Sequence, residues 1–161
     1  MDYIEFAIQM ELDGEKYYNE QAEKNKGNRL EKVFRLLAED EHRHADIVRK
    51  YADAKGYELD EKNALNEFKN VFSDEKDFGV EIEAKPHQID AYRLALSKEQ
   101  ESIDLYKKMK DEAETDDGKK LFGYLIKQEE DHYNIFDNLV EHLRKAEDWV
   151  EDAEFGRRPK Y

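Results

Sequence analysis

Apolar residues recur at spacings of three and four over four long stretches of this chain, the period of a helix with one buried stripe. The first stretch runs from about Asp2 to Lys26 and stops at Gly27-Asn28. The second runs from about Arg29 to Lys55, with Gly56 suited to the left-handed residue that follows a helix. The third starts near Pro86, a residue that fits a first helical turn, and reaches about Glu114. Thr115-Asp116-Asp117-Gly118 reads as a loop with N-cap candidates, and the fourth helix continues from it to about Trp149. A short amphipathic piece from about Asp60 to Phe72 and an irregular connection, Ser73 to Lys85, lie between the second and third stretches. Short, long and short connections predict two antiparallel hairpins, about 2–55 and 86–149, joined by a crossover over about 56–85. The expected fold is all-α: an antiparallel four-helix bundle over residues 1–149, with one long crossover between helices 2 and 3 and a peripheral tail, 150–161. Phe68, Phe72 and Phe78 in the crossover read as exposed residues that either cover an interface or pack on the bundle.

The apolar seams also carry acids and histidines. Helix 1 places Ile4, Ala7, Ile8, Glu11, Tyr18 and Ala22 on one stripe, and helix 2 places Val33, Leu37, Glu41, His44, Ile47, Val48 and Tyr51. Helix 3 carries Tyr92, Leu96, Glu99, Ile103 and Tyr106; helix 4 carries Phe122, Leu125, Glu129, His132, Phe136, Leu139 and Leu143. Shifting the chain by 88 residues lays Tyr18 on Tyr106, Phe34 on Phe122, Glu11 on Glu99, Glu41 on Glu129 and His44 on His132. Each half therefore reads Glu, then 30 residues later Glu-x-x-His. Four carboxylates in a seam would each cost several kcal/mol if buried unpaired, and they repel one another. No seam Lys or Arg is placed to neutralise them all, whereas two divalent cations would balance the charge. Oxygen and imidazole ligands without thiolate suit iron or manganese, and also zinc. The alternative is a structural bundle whose seam Glu and His form a hydrogen-bonded network. Glu39-x-x-His42 has the same spacing but falls off the seam, and its repeat mates are Lys127 and Glu130, so it reads as surface.

Composition narrows the field. The chain has 161 residues with 27 basic and 41 acidic, a net charge of −14, which disfavours a nucleic-acid groove. It has no cysteine, which excludes disulfides, thiolate metal sites and a cysteine nucleophile in this sequence. No apolar run approaches a membrane span and the N-terminus is charged throughout, so the expectation is a cytoplasmic protein with no membrane partner.

On the motifs Glu11-x6-Tyr18, Asp40-Glu41-x-x-His44, Glu99-x6-Tyr106 and Gln128-Glu129-x-x-His132, the chain resembles the rubrerythrin and ferritin-like di-iron superfamily over roughly residues 3–143. It looks like a stand-alone rubrerythrin-type domain without the rubredoxin module, whose iron needs four Cys. The resemblance implies a ferritin-like bundle with two iron ions per chain, manganese or zinc being possible substitutes. It implies Glu11, Glu41, His44, Glu99, Glu129 and His132 as metal ligands. It implies hydrogen bonds from Tyr18 and Tyr106 to ligand carboxylates, or redox-active phenols near the metals; core packing is the other reading of both. In similar proteins an acid at the position of Asp40 bonds the outer nitrogen of a ligand His; Gln128 fits that role less well, and an exposed side chain is the alternative for both. Gly14 and Ser102, repeat mates three residues past Glu11 and Glu99, leave room for substrate or carboxylate movement, or serve close helix packing. The family carries an additional glutamate at the position of Ser102, and its absence weighs against a rubrerythrin-style peroxidase mechanism. Glu15 offers a spare carboxylate on helix 1; His87 and His142 read as surface.

The resulting expectation is a non-haem di-iron oxidoreductase that reduces peroxide or O₂ with electrons from a separate donor protein, as a homodimer. The alternatives are a ferroxidase or iron-handling protein, an oxygenase with a larger pocket for an organic substrate, and a metal-stabilised structural module without turnover.

Overall fold

The computed structural model describes residues 3–72 and 86–155. The described residues form five helices and no strand: α1 (Tyr3–Lys24), α2 (Arg29–Ala52), α3 (Ala64–Val71), α4 (Pro86–Glu112) and α5 (Asp116–Phe155). α1 packs along α2 and α4 along α5, giving two hairpins, while α3 in the crossover leans on α2 and α5. This is the all-α, ferritin-like bundle expected from the spacing. No helix among the described residues is long and apolar enough to cross a membrane.

Local chemistry sets the ends of these helices. Gly27 turns the chain at φ 91°, and Asn28 caps α2 by accepting from the amides of Leu30 and Glu31 at 2.9 and 3.2 Å. α2 stops at Ala52 rather than Lys55. The left-handed residue is Ala54, at φ 57°, not Gly56. Lys55 N donates to Lys50 O at 2.8 Å and Ala54 N to Tyr51 O at 3.2 Å, which closes a Schellman turn. The early reversal brings Tyr57 back over Tyr51, whose ring also packs on Phe122, with centroids 6.4 and 5.7 Å apart.

The last helix begins earlier and ends later than its periodicity suggests. Thr115 Oγ1 accepts from Gly118 N at 3.1 Å, so Asp116, Asp117 and Gly118 are the first turn rather than a loop, and the two acids face the positive end of the helix. α5 runs past Trp149 to Phe155, because no glycine or proline stands between Trp149 and Gly156. Asn63 caps α3, so the amphipathic piece is helical only from Ala64.

Two apolar clusters fill the bundle. Tyr18, Leu30, Phe34, Tyr92, Phe136 and Leu143 belong to one; Ala7, Val48, Tyr106, Leu121, Phe122 and Leu125 belong to the other. Phe68 and Phe72 are not exposed: they are buried in the first cluster, where the apolar face of α3 roofs the bundle. Phe78, the connection Ser73 to Lys85 and the tail from residue 156 lie outside the described residues, as does the side chain of His87.

Candidate metal centre

Buried acids and histidines meet inside the bundle. α1 brings Glu11, α2 brings Glu41 and His44, α4 brings Glu99, and α5 brings Glu129 and His132. All six residues are at most 3 % exposed. The three-residue step of each Glu-x-x-His keeps both groups on one helix face. Glu11, Glu41, His44 and Glu129 each bring a ligand atom to within 4.8 Å of the others, and so do Glu41, Glu99, Glu129 and His132. Glu41 and Glu129 belong to both groups and lie between the two ends.

The inward-facing atoms lack hydrogen-bond partners. Glu11 Oε2, Glu41 Oε1, Glu99 Oε2, both oxygens of Glu129 and Nδ1 of both histidines are buried without one. His44 Nδ1 lies 2.8 Å from Glu129 Oε1, and His132 Nδ1 lies 3.0 Å from Glu41 Oε1. Buried polar atoms almost always find partners, so this concentration of orphans marks a place for cations. The donor set of four carboxylates and two imidazoles suits iron, manganese or zinc.

Electrostatics agree. Burial, then the charges of Glu11 and Glu99, push the Glu41 carboxyl well above its ordinary range. Burial, then Glu11 and Glu41, do the same to Glu129. Burial also works against Glu99, but the adjoining Glu129 carboxyl and the charge of His132 outweigh it and hold that carboxyl below the usual value. Burial disfavours the charged form of His132, yet the Glu99 charge and the Asp40 hydrogen bond raise it well above an ordinary histidine. Without a cation the cluster is thus a set of carboxyls that cannot all ionise.

Four outward-facing atoms are satisfied, each by the opposite hairpin. Tyr18 on α1 donates to Glu99 Oε1 on α4, and Tyr106 on α4 donates to Glu11 Oε1 on α1 at 2.6 Å. Burial, then the neighbouring carboxylates, pushes both phenols well above their ordinary values, so they stay protonated donors. Asp40 and Gln128 are buried rather than exposed. Asp40 Oδ2 lies 2.9 Å from His132 Nε2, and Gln128 Oε1 lies 3.2 Å from His44 Nε2. Burial would raise Asp40, but hydrogen bonds from His132 and Arg43 win and hold it far below the usual carboxylate range.

Gly14 and Ser102 face this centre. A Cβ on Gly14 would stand 2.8 Å from Glu41 Oε2. Ser102 donates to Lys98 O at 3.1 Å and lies against Met10 Sδ. Both line a cavity of about 210 Å³ between α1 and α4, with Phe6, Met10, Tyr17 and Lys98 at its walls and Glu41 and Glu99 within it. Glu15 does not join the cluster: it is half-exposed and meets His42 Nδ1 at 3.1 Å on the surface. Glu39 is exposed, as its off-seam position implies, and His142 is half-buried on α5 away from the cluster.

Arg43 escaped the sequence reading. Its guanidinium donates to Asp40 Oδ1 at 2.7 Å, Gln128 Oε1 at 2.6 Å and Tyr124 Oη at 3.2 Å. Its repeat mate is Asp131, of opposite charge, so the internal repeat that exposes the other residues hides this one. The one available signal was its position three residues after Asp40.

A family model described as Rubrerythrin matches residues 2–140. No curated protein and no solved structure matches the chain.

Proposed function

The chain belongs to the rubrerythrin family, and from that premise we propose that its buried cluster binds two iron ions and reduces peroxide or O₂ with electrons from a separate donor protein. The observation that carries this reading is the pair of overlapping four-residue groups sharing Glu41 and Glu129. Glu11 and His44 would hold one ion, Glu99 and His132 the other, and Glu41 and Glu129 would bridge them. Bound iron would supply the electrons and the Lewis acidity that O–O cleavage needs.

The remaining tasks fall to the chain itself. Tyr18 and Tyr106 hold one oxygen of Glu99 and of Glu11, leaving the other oxygen of each for an ion. The Tyr18 hydroxyl keeps its proton and points it at Glu99 Oε1 beside the cavity, where a proton can be passed or withheld as charge changes. Gly14 leaves Glu41 space in which to swing. A cavity of about 210 Å³ admits a diatomic or peroxide. It falls short of the roughly 300–1,000 Å³ usual for drug-sized ligands, which counts against an oxygenase with a bulky organic substrate. The packed apolar clusters on both sides keep water from the centre.

One observation favours a second reading, in which Fe(II) is itself the substrate. Ser102, whose hydroxyl is tied to its own helix, stands in the cavity where the family carries an extra glutamate, so this position offers no carboxylate to shift with oxidation state. Anaerobic Fe(II) titration, followed by peroxide or O₂ and near-UV absorption, tests both readings. Two irons per chain with fast oxidation, lost in Glu41→Ala and Glu129→Ala, is the expected result. A faster reaction with peroxide supports the peroxidase, and a faster reaction with O₂ the ferroxidase. No iron uptake would reduce the cluster to a structural network.

A further inference from the structure

The two ends of the cluster have matching ligands but unlike supports. The Gln128 amide is oriented by its own bonds: its nitrogen donates to Lys62 O at 2.8 Å and its oxygen accepts from Arg43 at 2.6 Å. The group facing His44 is therefore a neutral oxygen, so His44 Nε2 carries a proton and Nδ1 is the nitrogen left to face a cation. His132 likewise turns Nδ1 inward, where a metal would displace its proton, but its outer N–H meets a carboxylate oxygen, Asp40 Oδ2, at 2.9 Å. Arg43 uses the other oxygen of Asp40, whereas at Gln128 it competes with His44 for a single oxygen. The longer 3.2 Å contact at His44 reflects that sharing. A carboxylate behind a ligating imidazole raises its basicity more than a neutral amide does.

Resting on the reading that the cluster binds two metal ions, we propose that the two positions are unequal: the Glu99/His132 position fills first, the Glu11/His44 position fills second and more weakly, and chemistry needing both ions is thereby switched by metal supply. Asp40 and Gln128 are the positioning residues, and Arg43 ties them together. The cavity between α1 and α4 reaches Glu99, so the position filled first is also the one facing the opening. A singly loaded protein holds a metal at the cavity but lacks its partner, and it waits for the second ion.

Zinc titration into metal-free protein, followed by calorimetry and imidazole ¹⁵N NMR, isolates binding from redox turnover. The expected result is two steps with Kd values about tenfold or more apart. The His132 resonance should respond within the first equivalent and the His44 resonance within the second. Asp40→Asn should weaken the first step about 10–100-fold and merge the two. Gln128→Glu, an independent change in the opposite sense, should tighten the second step. His44 and His132 filling together with one Kd would overturn the proposal, as would Asp40→Asn weakening both steps equally. Failure to take up a second zinc even in excess would instead overturn the two-metal reading beneath it.

Discussion

A methyl group added at Gly14 on α1 would press on the Glu41 carboxylate. Gly14→Ala therefore has two opposed effects. The helix gains about 1 kcal/mol when Ala replaces Gly in mid-helix, and the flexible end of Glu41 turns aside. In the metal-free protein the melting temperature should hold or rise, while the increase on adding zinc should shrink because Glu41 is displaced. Equal gains in both states would refute the assigned role. The six clustered residues were legible because they break an apolar seam twice at one offset. Which hydroxyl serves which carboxylate was not, since Tyr18 and Tyr106 each cross to the other hairpin. Arg43 was hidden by a repeat mate of opposite charge.

At the scale of elements, α2 ends on Ala54 in a left-handed turn although Gly56 stands two residues on. A non-glycine residue pays about 1–2 kcal/mol for that conformation. Ala54→Gly should recover on the order of 1 kcal/mol, read as a higher urea midpoint with unchanged slope. An unchanged midpoint would mean the turn is not held in the native ensemble. The hairpins were legible from spacing and connection length alone. The helix ends were less so, because side-chain contacts such as Tyr57 over Tyr51 decide them. The fate of Phe68 and Phe72 was also out of reach: an eight-residue amphipathic helix has an apolar face, but periodicity does not say which wall it meets.

The molecule as a whole is acidic, and its centre holds acids that burial keeps from ionising. Glu41, Glu129 and His132 all bind protons more tightly folded than unfolded. The stability they contribute is full below their unfolded values, about 4.5 for Glu and 6.5 for His, and is lost as pH rises toward the raised ones. Asp40 and Glu99 run the other way, but their contributions belong to pH values near and below about 4.5 and change little in this window. Metal-free protein should therefore melt at a lower temperature at pH 7.5 than at pH 5.5. Zinc-loaded protein should reverse the order, because ligands must lose their protons to bind metal. Zinc at 1,000 times its Kd would add about 4 kcal/mol per site. A metal-free protein equally stable at both pH values would contradict the burial of ionisable carboxyls.

The crossed bonds also bear on the order of folding. Tyr18 with Glu99, Gln128 with His44, Asp40 with His132 and Tyr106 with Glu11 join residues 81 to 95 positions apart. Contacts that distant close late, after each hairpin has zipped through near neighbours. An ion that needs all four helices would then be captured after the rate-limiting barrier and would act as a clasp. In a stopped-flow chevron, zinc should slow the unfolding limb and leave the refolding limb nearly unmoved.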